Sequence, residues 1–475
     1  MAVVGLAAVA ASLAALPVTT APGARLSADE PYYVLTATSL WEDRNLDISD
    51  ELRAGREQPY AGAGMPRQAA PRPDGSVLAP HDPLLPLLLA PGVGLAGWRG
   101  ARATLAVLGG VLAALLVWLA RRRLGVPLGV AAGVTAAFAL TPPLTAYGAQ
   151  VYPELPAALA VTAGIAMLTG PSPRARRAAV AVVPVVVALP WLSVKYVPVA
   201  ATLAVIGVAR SWRAGGRRPV GLAGAVFAVA AGAYAVFHRR VYGGWTVYAA
   251  GDAFTAGELT VVGNRPDYAG RTIRLVGLVL DRHFGLAAWA PLFLLAVPAV
   301  AALVTAGRPF RAVLLPPLAA GWANATWVAL TMQGWWWPGR QVVVIVPCLV
   351  LAVAWWVTRL PRRAALAVLA AGGAVGSALW WGFVAAVLAG RATLVVDVDR
   401  PLGRLARAWR GLLPDDRVLA ASDRGRLVAW SAALVLSALA AAAAAAPRRR
   451  GRRSAPSVPA LRSPTNQPEP GGSPP

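Results

Sequence analysis

The sequence predicts an all-α, polytopic integral membrane protein of about 12 passes, and three observations carry that expectation. Apolar residues make up 57% of the 475 positions and charged residues only 14%, and the apolar positions collect in runs near the roughly 20 residues a spanning helix needs. Arginines fall in short blocks between those runs: Arg121 to Arg123, Arg174/Arg176/Arg177, Arg210 to Arg218, Arg308/Arg311, Arg359/Arg362/Arg363 and Arg448 to Arg453 hold no acid among them. Such blocks mark cytoplasmic loops. Of the 21 acidic residues, every one except Glu469 falls in segments left for the opposite face. The formal charge of +24 therefore reads as membrane anchoring and not as nucleic-acid binding, for which no soluble domain is evident. The lone cysteine, Cys348, lies in an apolar run, which excludes a disulfide framework or a thiolate metal site.

Working outward from the arginine blocks, passes fall near 2–20, 100–120, 124–146, 154–170, 219–241, 285–306, 312–332, 341–358, 364–388 and 427–446. The stretch 178–209 lies between two blocks that must share a side. A hairpin of two short helices broken at Pro190-Trp191-Leu192-Ser193-Val194-Lys195-Tyr196 satisfies that constraint, since irregular backbone at membrane depth is tolerated where it is buried in protein or lines a cavity. The count becomes 12, with both termini cytoplasmic. The first segment also reads as a cleaved signal peptide, because it is short and small residues follow it, although it has no basic n-region.

This topology makes 1–446 one transmembrane domain with outer loops 21–83, 147–156, 242–284 and 390–426, followed by a basic Pro/Ser-rich tail, 447–475, expected to be disordered and cytoplasmic. Loops as long as the first and third are usually functional or disordered. The first holds a helical stretch, Tyr32 to Trp41, and a charged segment, Leu46 to Leu52, both read as short interfacial helices.

Asp29-Glu30 directly after the first pass, His81-Asp82-Pro83-Leu84 at the end of the first outer loop and Tyr152-Pro153-Glu154 in the second outer turn together resemble the GT-C glycosyltransferases. The likeness is to the branch of protein mannosyltransferases and lipid A aminoarabinose transferases. It implies a sugar transferred from a polyprenyl-phosphate donor to a lipid, glycan or protein acceptor on the extracytoplasmic face of the cell membrane, with an acid after the first pass essential and a second acid in the next outer turn. Relatives often carry Lys-Pro-Pro-Leu where this chain has His81-Asp82-Pro83-Leu84, so a donor-phosphate lysine would be replaced by His81, an imidazole neutral over much of its range.

The chemistry can also be asked of the residues themselves. Such a transfer needs a base for the acceptor hydroxyl and cations against the departing phosphate. Asp29 is the candidate base, its pKa expected to be raised by desolvation at an apolar boundary. Glu30 and Glu154 would orient it, or Asp29 and Glu154 would share a divalent cation through hard oxygen ligands; no other cofactor is implied. The plainer reading makes Asp29 the N-cap of a helix opened by Pro31, and Glu154 a first-turn acid favoured by the helix dipole. Lys195 and Arg340, the latter closing Trp335-Trp336-Trp337-Pro338-Gly339-Arg340, are candidate donor-phosphate ligands; ordinary interface anchoring is the alternative for Arg340. His238 breaks the inside rule at an outer end, so it either contacts lipid phosphate or marks a misplaced pass. Asp281, Arg282 and His283 stand at the entry to the next pass and are weaker site candidates.

P-loop, His-Glu-x-x-His and Gly-x-Ser-x-Gly patterns are missing. Twelve passes with a broken hairpin also describe a secondary transporter or flippase of lipid-linked or small substrates, and a non-catalytic membrane assembly protein is a third reading. Against transport, the acids avoid helix centres and no paired interrupted segments recur in the two halves.

Overall fold

The computed structural model of the chain describes residues 1–446 except 63, 64, 171, 255, 418 and 419 and the side chains of 172–174. The tail from Pro447, with the Arg448 to Arg453 block, lies outside the described residues. Among these residues the fold is all helix, with two isolated β-bridges and no strand. Seven helices are long and apolar enough to cross a membrane: Leu84–Arg122, Ala175–Leu192, Val194–Arg213, Arg217–Val241, Arg340–Val357, Arg362–Leu388 and Ala421–Ala445. Shorter apolar helices at Ala2–Ala14, Leu128–Ala139, Glu154–Leu168 and Pro291–Thr305 pack among them. The chain is a polytopic helical membrane protein.

Most segments read as passes coincide with helices, and the differences have local causes. The first helix stops at Ala14, short of residue 20. The turn after it is held by Arg102, a fully buried side chain that donates to the Leu16 carbonyl at 2.7 Å and the Val18 carbonyl at 3.2 Å. The pass read as 100–120 begins earlier, at Leu84, and bends back on itself at Ala96 and Gly97, the latter at φ 56°. The bend brings Gly92 against Gly100 so closely that a Cβ on Gly100 would stand 1.8 Å from the Gly92 carbonyl oxygen. Only glycine permits both the positive φ and the approach. The hairpin of 178–209 breaks as expected, at Ser193, whose extended backbone (φ −170°, ψ 135°) separates Val183–Leu192 from Val197–Arg213. The pass at 312–332 ends its α-helix at Ala323, passes through a π turn at Asn324–Val328 and runs irregularly to Gly339.

The helix at Glu30–Glu42, here α1, differs in environment from the interfacial helix expected there. Tyr32, Tyr33, Val34, Leu35, Ala37 and Ser39 are all buried, and α1 packs against Leu84–Arg122, with Trp41 over Gly94. Its modest amphipathicity in sequence follows from being covered on most sides.

Asp281, Arg282 and His283 hold the loop 390–426 in place. The Asp281 carboxylate accepts the backbone N–H groups of His283 (2.7 Å), Phe284 (2.9 Å) and Asp416 (2.9 Å). The His283 ring lies between Asp399 (2.9 Å) and Asp415 (3.1 Å), and Arg282 pairs with Asp423. These residues clamp 390–426 and are not in the cavity described below. Beside them, burial and the Asp281, Asp415 and Asp423 carboxylates push the Asp416 carboxyl up from 3.8 to about 7. The folded chain thus holds that proton more tightly than the unfolded chain, so stability from this group falls as pH rises from about 4 through 7. Asp416→Asn is expected to raise the unfolding midpoint at pH 8 and to change it much less at pH 4; equal shifts at both pH values would rule the account out.

Candidate functional site

Four sequence-distant residues meet on one wall. Asp29 precedes α1 at the N-cap position, yet its side chain makes no capping hydrogen bond. It turns instead to Gln68, whose amide donates at 3.0 Å, and to Arg340, whose guanidinium donates at 2.9 Å. The capping reading therefore fails for Asp29. Glu154 opens the helix Glu154–Leu168 after Pro153, and the dipole does favour an acid there. Its fully buried carboxylate also accepts from Lys195 Nζ at 2.6 Å and Arg340 Nε at 2.8 Å, both on Oε1, while Oε2 has no hydrogen-bond partner in the structure.

Arg340 is the hinge of the group. Gly339, left-handed at φ 81°, starts the helical turn from which the arginine projects. The guanidinium lies 4.2 Å from the centre of the Tyr152 ring and 4.8 Å from that of Trp336, so it is gripped by two aromatic faces as well as two carboxylates. Lys195 reaches the same place because the break at Ser193 frees it from a continuous helix. Two anions and two cations thus form a chain, Asp29, Arg340, Glu154, Lys195, along a cavity of about 650 Å³. Asp29, Tyr33, Gln68, His81, Lys195 and Arg340 line it, with Glu154 behind them.

Electrostatics correct the expectation for Asp29. Burial raises its pKa, but Arg340, the neighbouring His81 and the Gln68 hydrogen bond outweigh it and hold the carboxyl at about 2, below the ordinary 3.8. Asp29 is a firmly ionised acceptor over all physiological pH. The same charges do not suit a divalent cation shared by Asp29 and Glu154, because the Arg340 guanidinium occupies the space between them and Lys195 completes the neutralisation. His81 stacks on Tyr33 with ring centres 4.4 Å apart. Burial pulls its pKa below 6.5 despite Asp29 and Asp82, which weakens it as a cationic phosphate ligand.

Glu30 is not on the wall. Its carboxylate is fully buried, with one oxygen accepting from Val151 N–H at 2.8 Å and the other from Ser27 N–H at 3.1 Å. It ties the loop after the first helix to the turn that carries Tyr152 and Glu154. Burial raises its pKa against the opposing charge of Arg102. In Glu30→Gln one amide oxygen can still accept, but the NH₂ confronts a backbone donor, which costs about 1–3 kcal/mol. The expected result is a lower unfolding midpoint with turnover per folded molecule retained; loss of turnover at unchanged stability would return Glu30 to the catalytic group.

Asp82 and His238 resolve a second sequence puzzle. His238 is fully buried and its Nε2 is 3.1 Å from Asp82, while Tyr234 donates to the same carboxylate at 3.0 Å and Val194 N–H donates at 3.1 Å. His238 therefore neither meets lipid phosphate nor marks a misplaced pass. The knot fastens the residue next to Lys195 to the residue next to His81. Gln68, Tyr33, Asp82 and Tyr234 had no local sequence signal as site residues beyond the adjacency of Asp82 to His81.

No family model and no curated protein matches the chain. Among solved structures, the crystal structure of ArnT from Cupriavidus metallidurans bound to undecaprenyl phosphate aligns with it at 12% sequence identity and a TM-score of 0.49, over 92% of this chain and 77% of that one.

Proposed function

We propose that this protein is a membrane glycosyltransferase that takes a sugar from a polyprenyl-phosphate donor and passes it to a lipid, glycan or protein acceptor, with its site on the extracytoplasmic face. The observation that supports this reading most is the chain Asp29, Arg340, Glu154, Lys195 on one cavity wall. Interface anchoring would scatter such residues around the bundle, whereas these converge. The resemblance of Asp29-Glu30, His81-Asp82-Pro83-Leu84 and Tyr152-Pro153-Glu154 to GT-C enzymes supports the donor class.

In this reading Lys195 and Arg340 receive the donor phosphate, exchanging part of their pairing with Glu154 and Asp29 for the phosphate oxygens. Asp29, released from one guanidinium bond, accepts the acceptor hydroxyl's hydrogen. As the acceptor oxygen bonds to the anomeric carbon, the bond from that carbon to the phosphate oxygen breaks, its electron pair leaves with the phosphate, and the hydroxyl proton passes to Asp29. A carboxylate held near 2 is a weak base at rest, so proton transfer comes late, when the attacking hydroxyl has become acidic. Glu154 keeps the two cations in register. An apolar groove of about 710 Å³, lined by Leu84, Val187, Trp191, Val229 and Phe237 among others, lies beyond Asp82 and suits a prenyl chain.

Asp29→Asn is expected to abolish transfer in membranes supplied with the correct labelled donor while protein abundance stays normal. Full activity in that variant would overturn the assignment. Substrate flux in proteoliposomes without donor lipid would favour a transporter instead.

A further inference from the structure

At the other end of the bundle from Asp29, five arginines surround one cavity of about 990 Å³: Arg123, Arg176, Arg177, Arg217 and Arg218. Helix geometry sets the separation. Arg102, which holds the turn after the first helix, and Arg123 stand near the two ends of Leu84–Arg122 beyond its bend, about 30 Å apart. Likewise Glu154 opens the helix whose last turn brings Met167 to this cavity. The five arginines therefore take no part in the transfer reaction.

Arginines that only anchor a bundle fan out toward headgroups and water. These five come from three separate loops and converge on one volume. No carboxylate lines it, and none of the five guanidinium groups pairs with an acid or donates a hydrogen bond among the described residues. At other cavity walls the guanidinium groups are spent: Arg340 on two acids, Arg271 on the Trp327 and Val262 carbonyls, and Arg274 on the Ala329 carbonyl. Here Arg123 lies 4.9 Å from the centre of the Trp118 ring and Arg217 lies 5.9 Å from that of Trp212, while Arg123 Nε is buried without a partner. The rings hold both cations in place without neutralising them. The helix Arg217–Val241 starts at the same cavity with no side-chain cap and no acid in its first turn, so its dipole adds to the positive field. Like charges gathered in this way repel one another, and an anion between them removes the repulsion.

The walls are fastened to one another independently of the arginines. Ser211, fully buried, donates its hydroxyl to the Ala175 carbonyl at 3.2 Å and accepts from Ala179 N–H at 2.8 Å, which ties the loop bearing Arg176 and Arg177 to the helix Val197–Arg213. Gly216 N–H donates to the Ser211 carbonyl at 2.8 Å, and a Cβ on Gly216 would stand 2.4 Å from the Arg176 carbonyl oxygen. The turn that starts Arg217–Val241 is thus held directly against the Arg176 backbone. A convergence fixed by backbone packing persists whether or not the side chains repel.

We infer that this cavity binds the phosphate headgroup of an anionic phospholipid in the leaflet opposite Asp29, held by Arg123, Arg176, Arg177, Arg217 and Arg218. Guanidinium forks match phosphate oxygens, and basic pockets between spanning helices suit lipids with more than one phosphate, such as cardiolipin. Phosphate chemistry alone would also fit a free anion. The rest of the lining decides for a lipid: Ala166, Met167, Ala181 and Pro219 give the cavity an apolar side, and Met167 stands 39% exposed there. A free phosphate has no use for that surface, whereas the start of an acyl chain covers it. The bound lipid bridges the loops after Leu84–Arg122 and Glu154–Leu168 to the start of Arg217–Val241.

Native mass spectrometry of the delipidated full-length protein in detergent, titrated with cardiolipin or phosphatidylcholine, tests this. One cardiolipin per chain is expected, bound about tenfold or more tightly than phosphatidylcholine, with the unfolding midpoint raised by at least about 2 °C. Arg176→Gln combined with Arg217→Gln should weaken cardiolipin binding about tenfold or more. Arg121→Gln combined with Arg122→Gln removes the same charge at the same end of the bundle from residues that do not line the cavity, and should bind as wild type. All four side chains are exposed, so both double variants fold. Equal losses in the two double variants would mean diffuse surface attraction and overturn the site, as would phosphatidylcholine binding as tightly as cardiolipin. Millimolar inorganic phosphate is the third arm: if it displaces cardiolipin and raises the midpoint as far as the lipid does, the occupant is a free anion and the lipid assignment falls.

Discussion

Arg340→Ala is expected to reduce transfer by a factor on the order of a thousand or more and to lower stability by about 3–5 kcal/mol, the range for removing one partner of a buried ionic network. The size follows from the number of groups left without compensation. Among the described residues Arg340 alone connects Asp29 to Glu154, and both carboxylates are largely or wholly enclosed. Its removal leaves Asp29 with the Gln68 amide and Glu154 with Lys195. Arg340→Lys retains the charge but cannot send Nε to one acid and a terminal nitrogen to the other while stacking on Tyr152 and Trp336. Its activity should resemble that of the alanine variant more than the wild type, although it folds better. Measuring transfer and unfolding midpoint on the same preparations separates the two effects. A lysine variant with near-normal turnover would show that charge suffices and that the bridging geometry does not matter.

Glu154→Gln ranks second, with an expected loss in kcat on the order of a hundredfold, the scale on which small misplacement of reacting groups acts. Glu154 does not line the cavity, so its effect must pass through Lys195 and Arg340, which share one of its oxygens. A glutamine holds neither cation by charge, and both drift toward water or toward Asp29. Because Lys195 and Glu154 act as a pair, Lys195→Met and Glu154→Gln should not add. Their double variant is expected to fall short of the summed losses by about 0.5–3 kcal/mol. Simple additivity would place Lys195 and Glu154 in separate roles.

Some of this was plain in the residues. The arginine blocks and acid-poor apolar runs dictate passes because charge cannot sit in hydrocarbon, and that constraint acts locally on every segment. Lys195 stood out for the same reason, as an ionisable group at a helix break. The spacing of Asp29 from the first helix and of Glu154 from Pro153 marked both acids, but local rules also read Asp29 as a helix cap and Glu154 as a first-turn acid. Adjacent in sequence, Asp29 and Glu30 looked like one catalytic pair, yet rotation by one residue sends the first into the cavity and the second into a buried knot with Ser27 and Val151. Gln68 and Asp82 lie in loops without periodicity, where no sequence pattern reports which way a side chain turns.

Sequence alone determined that the chain is a helical membrane protein, that the 178–209 hairpin breaks beside Lys195 and which few charges lie near helix ends. The tertiary structure decided which of those charges meet. Hydropathy is a property of each segment taken singly, whereas the pairing of Asp29 with Arg340, 311 positions apart, depends on how every intervening helix packs.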